Sequence, residues 1–184
     1  MKPAILFLIF ITGVSLTMSG SASAQAPKVV DSPAFSVIGI SCRTDNAREA
    51  SGTGCIGRQW GRLFSEGLLD KIPDRADKNI IAVYTNYASD KDGEYTFILG
   101  AKVKPDATAP AGMVKVQVAA GKYAVFTSNQ GPVQQVVPAT WKRIWDTPKS
   151  QPGGNRAYQT DFELYDQRAV DPKNSQVDIH IGIL

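Results

Sequence analysis

The chain is poor in histidine and cysteine. One histidine, His180, and two cysteines, Cys42 and Cys55, occur among 184 residues. Two sulfurs and one distant imidazole do not make a zinc site, so that kind of metal centre is excluded, and no cofactor is expected. Blocks of like charge are absent, and no basic stripe alternates with aromatics, so nucleic-acid binding has no electrostatic footprint. The formal charge of +3 is near neutral for this length. No serine sits in a nucleophile elbow, which leaves Ser–His–Asp hydrolysis without a scaffold.

What is present begins with a leader. Lys2 supplies a short positive start, and Ala4 to Val14 is an apolar run too short to span a bilayer comfortably. "ASA", Ala22 to Ala24, is a small-residue cleavage site. Residues 1–24 are therefore expected to be a signal peptide, with an uncleaved anchor as the alternative. Residues 25–33 would form an N-terminal extension. No cysteine lies near the cut to carry a lipid, so no stable membrane anchor is expected after cleavage. The expected location is exported, periplasmic or secreted. About 160 residues then remain, enough for one domain with its own core. In an oxidising compartment the pair Cys42 and Cys55 favours a disulfide over two free thiols.

Hydropathy patterning divides the rest. Strands are expected over 34–42, 79–87, 94–103, 113–118, 122–128, 160–166 and 176–183, from β-branched or alternating runs. A helix is expected over 55–72, where Ile56, Trp60, Leu63, Phe64 and Leu68 recur near helical spacing, and another over 133–146 containing Pro138. The polar stretch 43–54 reads as a loop. The order strand, helix, strand, strand occurs twice, in halves of about 34–103 and 113–184. "QWGRLF" and "TWKRIW" match in the two helices, aligning Trp60 with Trp141 and Leu63 with Ile144. "AVYTN" aligns with "ELYDQ", setting Tyr84 beside Tyr165. The expected fold is α+β: duplicated βαββ units about a pseudo-two-fold, antiparallel sheets, one helix per unit, and a ligand cleft between the halves.

Five stretches together carry a resemblance: "YTNYASDKDGEYTFILGAKV", "AAGKYAVFTSNQGP", the helix with Trp141, "DFELYD", and the terminal "VDIHIGI". In this order, across about residues 34–184, the chain resembles the GyrI-like, AraC-type effector-binding domain of bacterial multidrug-sensing regulators. The resemblance implies the duplicated βαββ fold and an aromatic cavity with a central glutamate that takes bulky, often cationic, aromatic compounds. The matching glutamate is Glu163. The terminal strand departs from the family's "DIYIP", carrying His180 and Gly182 at those places. That departure bears on ligand preference and on pH sensitivity at His180. Family domains usually follow a DNA-binding helix-turn-helix. Here a leader precedes the domain, so transcriptional control is not carried over.

Read from the residues alone, Glu163 has a plain alternative as a solvent-facing strand residue, because glutamate is rarely buried unpaired. The family position favours the cavity. Tyr165 shares the face of Glu163 by alternation and is the first wall candidate. Trp141 follows by family position, with Tyr84 and Tyr123 as further candidates, although aromatics in such places usually form core. His180 is a candidate on the last strand, with Asp178 on its face. The expected function is an exported protein binding an amphipathic, cationic aromatic small molecule. The alternatives are a detoxifying hydrolase in which Glu163 activates water, and an envelope interaction domain with a vestigial cleft.

Overall fold

The computed structural model describes residues 26–184; the expected signal peptide lies outside the described residues. Eight strands form a single antiparallel sheet: β1 Lys28–Ser32, β2 Phe35–Thr44, β3 Ile80–Thr85, β4 Tyr95–Val103, β5 Val114–Val118, β6 Gly121–Thr127, β7 Thr160–Tyr165 and β8 Asp178–Gly182. Their spatial order is β1-β6-β8-β7-β3-β4-β2-β5. One continuous sheet thus replaces the expected separate sheets. Residues 28–32, expected as an extension, pair with β6 and complete one edge.

Strand alternation gives the sheet two unlike faces. Helices α2, Ile56–Ser65, and α3, Val133–Trp145, cover one face. Leu63 and Ile144, the aligned pair, are each 1% exposed there, packed with Ile40, Phe97, Leu99 and Phe126. The other face folds inward: Phe35 on β2 meets Phe162 on β7 edge-on at 5.2 Å, although two strands lie between them. Val37, Ile81, Val83, Ile98, Val118 and Tyr123 fill that interior. Gly39 and Gly100 face each other across β2 and β4. A Cβ on either would run into the opposing backbone, at the Leu99 or the Ile38 carbonyl. The strands approach there more closely than side chains permit, which lets the sheet bend.

Two local differences from the sequence pattern have simple causes. The expected loop 43–54 contains a short helix α1, Asn46–Ser51. Asp45 caps it by accepting from the Arg48 N–H at 2.8 Å, and Gly52 ends it at φ 78°. It buries no residue, so it left no apolar periodicity to read. The helix expected over 55–72 stops at Ser65; Gly67 turns left-handed at φ 58°, and Leu68–Lys71 continues as a 3-10 turn. Pro138 sits inside α3, forgoing the N–H bond to the Gln134 carbonyl. Cys42 and Cys55 form a disulfide, which ties the start of α2 to β2.

Candidate functional site: a carboxylate ringed by aromatics

The central pairing of β3 with β7 sets Ala82 opposite Glu163, with Tyr84 two residues along one strand and Tyr165 two along the other. All four point to the helix face. The small side chain of Ala82 leaves room above Glu163. Trp141 descends from α3 and Trp60 from α2, and the Trp60 ring meets Tyr165 edge-on at 4.8 Å. Tyr84 packs edge-on against Trp141 at 5.0 Å and Phe97 at 5.3 Å. Between sheet and helices these rings leave an open cavity of about 250 Å³, with Glu163 on its lining.

Glu163 is 1% exposed. Its Oε1 accepts from Trp141 Nε1 at 2.6 Å and from the Tyr84 hydroxyl at 2.9 Å. Its Oε2 accepts from the Tyr165 hydroxyl at 2.7 Å. Every donor is neutral, and no cation pairs with this carboxylate among the described residues. Burial pushes its pKa up, and the bonds from Trp141, Tyr165 and Tyr84 oppose that rise without reversing it. Burial, with Glu163 adding to it, lifts both tyrosines well above the usual phenol range, so they remain donors.

One pair along β7 behaves differently. Asp161, fully buried, takes the Arg156 guanidinium at 2.6 Å, the Tyr87 hydroxyl at 2.7 Å and the Gly182 N–H at 2.8 Å. Arg156 lies over the Tyr158 ring at 4.4 Å and also lines the cavity. The two carboxylates of β7 therefore differ in kind: Asp161 is neutralised and Glu163 is not.

Of the expected site residues, Glu163, Tyr165, Trp141 and Tyr84 come together. Tyr123 and His180 do not. Alternation places both on the inward-folded face, where His180 stacks on Phe162 at 4.3 Å and Tyr123 meets Phe162 edge-on at 5.3 Å. Asp178 shares the face of His180 as expected, but its carboxylate holds Arg168 and Thr127, both at 2.6 Å. Trp60, Tyr87, Tyr95, Glu49 and Arg156 line the cavity unexpectedly. Trp60 had a signal, its alignment with Trp141. Arg156 had none, since it stands in an irregular Pro- and Gly-rich segment.

This curled antiparallel sheet with two helices over an aromatic cavity defines a GyrI-like, small-molecule effector-binding domain. The model of the Cass2 family, integron-associated effector binding protein, matches residues 28–183, and the chain belongs to that family. It is 37% identical over 146 residues to YobU of Bacillus subtilis, covering 79% of this chain and 89% of YobU. It is 34% identical over 159 residues to the transcriptional regulator BrlR of Pseudomonas aeruginosa, covering 85% of this chain but only 54% of BrlR. Among solved structures, the integron cassette protein VCH_CASS2 from the mobile metagenome of Vibrio cholerae superposes with TM-score 0.65 at 30% identity, covering 88% of this chain and 97% of that one. SAV2435 bound to tetraphenylphosphonium shares the fold, with TM-score 0.67 at 17% identity over 87% of this chain and 94% of that one.

Proposed function

We propose that the chain is an exported binding protein for an amphipathic, cationic aromatic small molecule, whose positive centre sits against Glu163. The observation that carries this reading is a carboxylate 1% exposed, held by three neutral donors on the lining of an aromatic cavity. A buried anion without a counter-charge attracts a cation. Ring faces add cation–π attraction of about 0.5–2 kcal/mol each. SAV2435, which shares the fold, is bound to tetraphenylphosphonium, an aromatic cation of this class.

Export is supported by the leader pattern at residues 1–24 and by the Cys42–Cys55 disulfide, a bond that persists in oxidising compartments. Internal duplication is supported by the strand order, in which β6-β8-β7 mirrors β2-β4-β3 about the β7–β3 pair. The Ala82–Glu163 pair at that centre is also where the two halves align. In the hydrolase alternative, Glu163 would take a proton from water. Both its oxygens already accept hydrogen bonds, Oε1 twice, which suits a fixed anion better than a base.

The test is thermal unfolding with two ions of one shape and opposite charge. Tetraphenylphosphonium should raise the melting temperature by mass action, and tetraphenylborate should not. Equal shifts, or none with the cation, would overturn the proposal.

A further inference from the structure

Among the described residues, four side chains that carry a charge at neutral pH line the cavity: Glu49, Lys91, Arg156 and Glu163. Each of the two cations pairs with an aspartate outside the cavity lining, Lys91 on the exposed surface and Arg156 in the interior. Lys91 is paired with Asp92 at 2.7 Å and Arg156 with Asp161 at 2.6 Å. Neither pairs with Glu49 or Glu163. Glu49 lies at the end of the cavity formed by α1 and the start of α2. Its Oε1 accepts from the Thr44 hydroxyl at 2.6 Å and the Cys55 N–H at 2.7 Å, and the Ile56 N–H reaches both oxygens at 3.3 Å. Every partner is again neutral. Satisfying helix-terminal N–H groups needs an acceptor, which an amide oxygen would supply equally. The helix end offsets only part of a full negative charge.

The cavity thus holds two carboxylates that pair with no side-chain cation among the described residues. Tyr95 lies within the field of both. Burial first, then Glu49, then Glu163 push its pKa well above the phenol range. Its hydroxyl is anchored to Asn46, another cavity residue, at 3.0 Å.

We propose that Glu49 is a second anionic anchor of this cavity and that its preferred ligand is an aromatic dication, one positive centre at Glu163 and the other at Glu49. This rests on the reading of the Glu163 cavity as a cation site. It goes further by fixing the number of charges on the ligand. Suitable chemistry is an aromatic core carrying two quaternary ammonium or amidinium groups. Each carboxylate attracts a cation, so a dication gains at both anchors where a monocation gains at one.

The experiment uses two dyes with one phenanthridinium ring system: ethidium, a monocation, and propidium, which carries a second quaternary ammonium. The full chain is titrated with each by fluorescence. Propidium should bind the unmodified protein at least tenfold tighter than ethidium. The preference should fall to near one in Glu49→Gln and persist in Glu49→Asp. Should Glu49→Gln fail to fold, the salt dependence of the unmodified protein decides, because the dication's advantage must shrink as salt screens it. Equal affinities, a preference that survives Glu49→Gln, or one indifferent to salt would overturn the inference. If ethidium binds and is lost in Glu163→Gln while propidium gains nothing, the Glu49 inference alone fails. If neither dye binds the unmodified protein, the cation-site reading fails and this one with it.

Discussion

Glu163→Gln removes one charge while keeping the shape of the site. Gln offers a carbonyl oxygen to Tyr84 and Trp141 where Oε1 stood, and an amide N–H₂ where Oε2 accepted from Tyr165. The Tyr165 hydroxyl can turn and accept, so the ring of aromatics should keep its arrangement. A ligand cation about 4 Å from a full carboxylate gains about 4 kcal/mol at an effective dielectric of about 20. Desolvating that cation offsets roughly half, leaving about 2 kcal/mol, or roughly thirtyfold in Kd. Calorimetric titration with tetraphenylphosphonium at neutral pH reads the difference directly. Because burial holds the Glu163 pKa above its ordinary 4.5, the wild-type affinity should fall as pH drops through that raised value, while the Gln variant stays flat. Stability runs the other way. A carboxyl with a raised folded pKa is harder to ionise when folded, so ionisation destabilises the fold as pH rises from about 4.5 upward. The Gln variant should therefore gain stability over wild type across that window. An unchanged Kd in a folded Glu163→Gln protein would refute the charge argument, whatever its effect on stability.

Three further outcomes follow from other parts of the molecule. Replacing Cys42 and Cys55 by serine opens a loop of sequence separation 13; it should cost about 3 kcal/mol and lower Tm by roughly 6–12 °C by calorimetry, and an unchanged Tm would refute it. Arg156→Ala leaves Asp161 buried and unpaired; urea unfolding should show a loss of about 3–5 kcal/mol, largely recovered when Asp161→Asn is added. The His180 Nδ1 atom is buried beside Phe162 with no partner among the described residues, and burial lowers the His180 pKa below 6.5. Its neutral form therefore supports the fold above pH 6.5, and that support is lost as pH falls through 6.5 toward the lowered pKa. His180→Phe should widen its stability advantage over wild type as pH falls through that range, and parallel pH profiles would count against it.

Local rules explain how much of this was legible. The β2, β3–β4 and β6 strands follow from β-branched and alternating runs, and β7 from the alternation around Phe162 and Leu164. That same alternation puts Glu163 and Tyr165 on one face. It could not say which face of β6 and β8 met the helices. Tyr123 and His180 were therefore expected at the cavity, yet they fill the inward fold instead. Helix α1 buries nothing, so hydropathy had no trace of it.

Residue order by itself determined seven of the eight strands, the matched helices with Leu63 and Ile144 inward, and the company of Glu163 with Tyr165, because each depends on a period of two or near four within one segment. Only tertiary structure decided the rest. The β3–β7 pairing brings Tyr84, 79 positions away, onto the Glu163 carboxylate, α3 lowers Trp141 onto the same oxygen, and Arg156 is committed to Asp161 rather than to Glu163. Charge neutralisation is a property of distances between segments, and no local pattern records it.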